Sequence, residues 1–363
     1  YYLSRTNCMA KEKKKKIATK NKVLIAILIM VLIIAAGLGI WKFIIEKQEV
    51  EEVPISLGEE QGIEDVKEPE KKVQIFSGND RPIAVMIDNH KGAWPQAGLN
   101  NAYCVYEIIV EGGETRLMAL FKGKEDQIIG PVRSARHYFL DYAMENDAIY
   151  THYGWSPQAE SDIRTYKVQN INGISESSKD FWRIKQKSAP HNVLTNISNI
   201  KKIAERKEYR IISDQKSVLN YSADEIELAS QQVANTVTIP YSTLHTTSYV
   251  YDPETKLYTR YARNTKQTDY NTKEAITTKN IIITFAENYT LKDGENKDRQ
   301  GLKNIGTKDG YYITNGKAIP IVCEKKDRDS QTIYKDMNGN IIQVNDGNTF
   351  INICPIDSKV TFE

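Results

Sequence analysis

Between Val23 and Trp41 the chain reads VLIAILIMVLIIAAGLGIW, 19 consecutive residues without a charge. A helix of that length matches the ~30 Å hydrocarbon core of a bilayer. Seven lysines fall between Lys11 and Lys22 before the run, and EKQEVEE follows it. By the positive-inside rule this predicts one transmembrane anchor over 23–45, with residues 1–22 cytoplasmic and everything after Lys47 outside the cell. A cleaved signal peptide would have a shorter apolar region ending in a small-x-small site. Here AAGLGIWKFII turns apolar again. A lipoprotein signal would need a cysteine just after the run, and none occurs between Cys8 and Cys104. Met9, followed by AKEKKKK, reads as a natural start, with YYLSRTNC as translated upstream sequence.

The segment after the span, EKQEVEEVPISLGEEQGIEDVKEPEKK, is acidic, bears lysines and is poor in aromatics. It buries too little apolar surface to offset the entropy of ordering, so 46–72 is expected to be a disordered stalk. The 363 residues leave room for two ordinary cores. The net charge of +2 conceals the N-terminal lysine block. The remainder is close to neutral, so nucleic acid is not an expected partner. Cys104, Cys323 and Cys354 are an odd number without repeated short spacing, neither a disulfide framework nor a zinc site. Cys323 and Cys354 could pair if their strands adjoin, or all three could be small buried side chains.

Over 73–212 strand-like and helix-like runs alternate. PIAVMID (82–88), AYCVYEIIV (102–110), TRLMALF (115–121) and AIYTHY (148–153) read as strands, with EGGE as a hairpin turn between the second and third. SARHYFLDYAMEN reads as a helix capped by Ser134, SPQAESDIRTYK as one capped by Ser156 with Pro157 at its first position, and TNISNIKKIAERK as a third. This predicts an α/β N-terminal domain, a mixed sheet with helices. Over 213–363, after a possible short helix in SADEIELASQQ, Thr/Tyr/Val-rich runs with DPET, TNGK and MNGN turns predict a β-rich C-terminal domain.

If TRLMALF and AIYTHY lie in one sheet, the intervening helix makes them parallel, and ligands bind at the shared carboxyl edge of such sheets. That edge would carry Arg133, Arg136 and His152, joined by Asp88 if PIAVMID is parallel too. Glu111, Glu114 and Arg116 would then fall on the opposite edge, as a second tier of candidates. With Ser134 as cap, Arg136 would sit in a first turn whose dipole disfavours cations by roughly 0.3 to 1 kcal/mol. A bound phosphate or carboxylate would resolve that conflict. The competing reading ties both arginines to Asp88, Glu111 or Glu114 as structural ion pairs. His152, and His191 with Asn192 in APHNVLTN, precede proposed helices, where functional groups collect. Asp88 and His152 are the candidate acid–base groups, should there be catalysis. Trp94, Trp155 and Trp182 could line a glycan-binding or peptide-binding cleft or belong to the core. No metal or cofactor motif occurs.

The runs PIAVMIDNHKGAWPQAGLNNAYCVYEIIVEGGETRLMALF, IGPVRSARHYFLDYAMENDAIYTHYGWSPQA and PHNVLTN resemble the YerB-like family of bacterial cell-envelope proteins, a two-domain family of unknown function. TTKNIIITF, YYITNGKAI and GNTFINICPIDSKVTFE resemble its C-terminal domain. The resemblance covers roughly Arg81 to Glu363 and implies an envelope location without supplying a reaction. Members are often lipoproteins, and this chain departs from them in lacking the lipobox cysteine. A strand followed by an arginine-bearing segment is also similar to LytR-CpsA-Psr phosphotransferases, though the spacing does not match closely. Two readings follow: a module binding an anionic or glycan ligand or a partner protein, and an enzyme on lipid-linked or wall polymers using the Arg133/Arg136 edge.

Overall fold

In the N-terminal half, charge-poor runs three to seven residues long become the strands of one large sheet. They are β1 (Ile83–Asp88), β2 (Cys104–Ile109), β3 (Thr115–Phe121), β4 (Ile149–His152) and, less apolar, β5 (Asn170–Asn172). Every residue of β1 to β4 is buried, which explains why their sequences lack period-two alternation: both faces of the sheet are covered. A computed structural model of the chain describes residues 71–363, except 124, 125 and 296. Residues Pro69–Glu363 form one compact unit.

The sheet has ten strands and crosses the middle of the chain. Its order is 333–335, 317–325, 306–314, 280–286, 349–355, β2, β3, β1, β4, β5. The C-terminal strand Thr349–Pro355 lies between β2 and Asn280–Ala286 and is parallel to both. On one face Val85, Ile87, Val105, Leu117 and Ile283 pack against Val237, Ile239, Tyr249 and Tyr258 of a smaller sheet. On the other, Met86, Tyr106, Met118 and Ile351 pack against Tyr138, Phe139 and Tyr142 of helix α1 (His137–Glu145). Each fully buried side chain of this size contributes about 1.5–3 kcal/mol.

The fold class departs from the sequence expectation. Among the described residues the protein is mostly β, rather than an α/β domain joined to a β-rich one. The helices among the described residues are short: α1 and α2 (Pro157–Thr165) have nine residues each and α3 (Ile197–Arg206) has ten, beside a few 3-10 turns. No described helix is long and apolar enough to cross a membrane. The apolar run at 23–41 and the basic segment at 1–22 lie outside the described residues, as does the stalk at 46–72 except its last two residues. The helical reading of SADEIELASQQ (222–232) also fails: Ser222 ends a short strand and the rest of the stretch is irregular. The three helices expected within 73–212 do form, as α1, α2 and α3.

Ser156 caps α2, its Oγ accepting from Ala159 N at 3.3 Å, with Pro157 at the first position. Ser134 does not cap α1. The chain stays extended through Arg136, which is itself the N-cap and supplies no side-chain bond there. Sheet-like pairing wins over helix initiation: Val132 bridges Ile87 and Ala135 bridges Trp155. Ser134 Oγ instead donates to Tyr153 O at 3.1 Å. Cys104, Cys323 and Cys354 are all free and buried.

Candidate functional site: an arginine-lined cavity

β3 follows β2 through the EGGE hairpin and enters the sheet antiparallel to both β2 and β1. Its first residues therefore stand beside the last residues of β1, with Asp88 opposite Arg116. β4 runs parallel to β1. The parallel arrangement expected for β3 and β4 would have put Glu111, Glu114 and Arg116 on the far edge. The reversal of β3 brings all three to the edge that holds Asp88, Arg133 and Arg136.

The segment carrying the two opening arginines is sewn across that edge by backbone bonds. Arg133 N donates to Met86 O at 2.9 Å, Tyr153 N to Arg133 O at 3.0 Å, and Ala135 N to Gly154 O at 2.9 Å. These bonds fix where both guanidinium groups emerge. A cavity of about 310 Å³ opens between them, lined by Asp88, Glu111, Glu114, Arg116, Arg133 and Arg136, with His90 and His191 at its side. Lys297 and Arg299 reach it from a C-terminal loop.

The three arginines differ in how they are met. Arg136 grips Glu111 bidentately, Nε to Oε1 at 2.5 Å and Nη2 to Oε2 at 3.0 Å. Burial opposes ionisation of Glu111, but the Arg136 hydrogen bond and charge hold its carboxyl below the usual range. Arg133 Nε stands 3.0 Å from Asp88 Oδ2 without the alignment of a hydrogen bond, so that contact is electrostatic. Arg116 is 5 % exposed, and its one side-chain hydrogen bond among the described residues runs from Nη1 to Ser134 O at 2.7 Å. Among the described residues no carboxylate lies within ion-pair distance of it. Burial, then the charges of Arg136 and Arg133, push its pKa down to about 9. It remains a cation at neutral pH in surroundings that disfavour one.

Asp88 is the hub of the opposite wall. Burial opposes its ionisation, but His191, Arg133 and Arg116 hold the carboxyl below the usual range. Oδ1 accepts from His90 N at 3.1 Å, and Oδ2 lies 2.7 Å from His191 Nδ1. The His90 and His191 rings stack, with centroids 4.3 Å apart and planes inclined by 13°. Asn192 holds the loop behind His191, donating to Ile184 O and Lys187 O at 3.0 and 3.1 Å. His152, expected beside the arginines, is fully buried outside the cavity. Its ring nitrogens pair with Gly154 O at 2.8 Å and Asn170 Oδ1 at 3.0 Å, and burial lowers its pKa.

Three contributors were missed in the sequence. His90 follows Asp88 by two residues, and the polar run DNH at the end of an apolar strand was the signal for it. Lys297 and Arg299 lie far along the chain and gave none. Both are already neutralised within their loop: Arg299 pairs with Asp293 and Glu295, and Lys297 Nζ lies 2.9 Å from Glu295. A larger cavity of about 550 Å³, bordered by residues 73–76, 216–221 and 331–342, includes one charged residue, Lys216.

Two family models match the chain. One, described as "Protein of unknown function (DUF3048) N-terminal domain", covers residues 69–210, and the other, its C-terminal domain, covers 237–351. The chain belongs to the DUF3048 family. This member is 32 % identical over 289 residues to a protein of Bacillus subtilis (strain 168) named "Putative lipoprotein YerB", spanning 76 % of this chain and 81 % of that one. The crystal structure of the YerB protein from Bacillus subtilis superimposes with a TM-score of 0.69 at 28 % identity, covering 78 % of this chain and 94 % of that chain. The family resemblance read from the sequence motifs therefore holds.

Proposed function

We propose that this DUF3048 protein acts at the outer side of a bacterial membrane and binds an anionic ligand, whose charged group sits among Arg116, Arg133 and Arg136. The location draws support from the lipoprotein name of its relative. The binding reading is carried by Arg116, a buried guanidinium with one of its five N–H donors used and no carboxylate partner among the described residues. Leaving such a cation unpaired is costly, and an entering anion would relieve it through charge-assisted bonds. The lining favours an anion over a glycan. No tryptophan, tyrosine or phenylalanine borders the cavity to stack on a sugar, and Val110 is its one apolar contributor.

Isothermal titration calorimetry and thermal melting of the full-length chain with inorganic phosphate test this reading. Phosphate at one hundred times its Kd should stabilise the wild type by about 2.7 kcal/mol. Arg116→Met should weaken binding by about 10-fold or more, the worth of one charge-assisted bond. Equal binding by the variant would sink the role of Arg116.

A further inference from the structure

We infer that the cavity hydrolyses phosphate esters, with His191 as the catalytic residue and Asp88 as its positioning residue; this rests on the anion-binding reading above. The Asp88 carboxylate can only accept, so the Nδ1 that lies 2.7 Å from it carries the proton. Nε2 is then the basic nitrogen. It has no hydrogen-bond partner among the described residues, while the ring borders the cavity and is held against His90 by stacking. A carboxylate that fixes the tautomer of an imidazole beside a set of cations is the arrangement required for general-base attack on an anionic centre.

The cations themselves point to a tetrahedral oxyanion. A planar carboxylate is filled by one guanidinium fork, as Glu111 is by Arg136. Arg116 comes from the start of β3 and Arg133 from the segment crossing the sheet edge, so their unused donors belong to two separate elements. A phosphoryl group has oxygens enough for both. The nucleophile is water, because no serine or cysteine lines the cavity and the Thr115 hydroxyl is committed to Glu107 at 2.8 Å.

In the step, a water oxygen bonds to phosphorus and its proton passes to His191 Nε2. The bond from phosphorus to the ester oxygen breaks, and that oxygen leaves with the electron pair and takes a proton from solvent. The imidazolium then returns its proton to bulk water. Ester and water become phosphate and alcohol, with no change of oxidation state. Arg116 and Arg133 hold the phosphoryl oxygens as charge redistributes.

The test uses the full-length chain with p-nitrophenyl phosphate and bis(p-nitrophenyl) phosphate, following p-nitrophenolate release, alongside calorimetry with inorganic phosphate. We expect hydrolysis of at least one ester, inhibited by phosphate. His191→Gln should lower kcat by roughly 10²–10⁴-fold while still binding phosphate. Asp88→Asn should lower kcat yet tighten phosphate binding, since it removes a negative charge from the wall; a merely structural role would not move the two in opposite directions. Wild-type protein that binds phosphate but cleaves neither ester faster than His191→Gln overturns the catalytic inference and leaves the binding reading standing. Absence of phosphate binding overturns both, and unchanged kcat in Asp88→Asn removes Asp88 from the positioning role.

Discussion

Two clusters of arginine, histidine and glutamate flank the start of β3, and they are built on opposite principles. One is the cavity. The other centres on Glu107 in β2, which is fully buried and surrounded by donors. Its Oε1 accepts from Thr115 and Thr247 at 2.8 Å and from Asn89 at 3.1 Å, its Oε2 accepts from Arg260 Nη2 at 2.8 Å, and His245 Nε2 lies 3.2 Å away. Burial opposes the charge on Glu107, but Arg260 and His245 hold its carboxyl far below the usual range. Here an anion is over-satisfied in a sealed interior, joining the large sheet to the small one. In the cavity a cation, Arg116, is under-satisfied beside open space. Arg260 Nε and Nη1 also lack partners among the described residues, but Arg260 is fully buried and no described cavity borders it. An arginine implies a ligand only when unused donors and room coincide.

Replacing each arginine by methionine breaks the comparison most directly. Arg260→Met leaves Glu107 as an uncompensated buried charge and should cost about 3–5 kcal/mol. Arg116→Met removes a cation that has no carboxylate partner, so its stability should stay level or rise by up to about 2 kcal/mol. Urea unfolding of both variants measures the contrast. Comparable destabilisation by the two would show that Arg116 is a structural member like Arg260.

The pH dependence separates the clusters next. The Glu107 carboxyl is depressed in the folded state, so its stabilisation is fully present above the ordinary glutamate value of 4.5 and is lost as pH falls toward the folded value. His245 has the opposite sign. Burial lowers its pKa, but Glu107 and Glu114 raise it by more, so its contribution is present below the ordinary 6.5 and fades as pH rises through the folded value. Melting temperature followed from pH 2 to 8, at buffer values set roughly by the ordinary carboxylate and imidazole ranges, should therefore fall on the acid side. Glu107→Gln should be about 3 kcal/mol less stable at neutral pH and flatten the acid limb. An unchanged acid limb would place the acid sensitivity elsewhere.

Much of the site was legible, and what was hidden follows from non-local pairing. Asp88, Arg133, Arg136 and His191 could be named because each lies next to an apolar run that had to be a strand or helix. Glu107 within CVYEII and Arg116 within TRLMALF were equally visible as charges inside buried strands, where a charge requires a partner or a purpose. Their neighbours were not visible. Arg260 and His245 come from over a hundred residues away, and the parallel insertion of Thr349–Pro355 beside β2 leaves no local trace. Turns, by contrast, were readable: Asn315 and Gly316 both take positive φ, 49° and 72°, in the Asn-Gly hairpin between Gly306–Thr314 and Lys317–Lys325. Among the described residues helix was overstated only in SADEIELASQQ, where Ser222 ends a short strand and the rest of the stretch is irregular.

The smallest expected effect concerns how each wall is held. The Glu107 cluster depends on side chains, whereas Arg133 and Arg136 are aimed by backbone bonds of the segment between them. Ser134 lies in that segment and its hydroxyl caps nothing, so Ser134→Ala removes one bond to Tyr153 O and should cost under about 1 kcal/mol. Ser156→Ala removes a true N-cap from α2 and should cost about 1 kcal/mol, up to 2. Thermal melting ranks the pair. Phosphate affinity provides the sharper readout, because the backbone bonds from Arg133 and Ala135 survive in Ser134→Ala and should keep the arginines in place. A Ser134→Ala variant that kept its stability but lost phosphate binding would mean that the hydroxyl, and not the backbone, sets the aim of the two guanidinium groups.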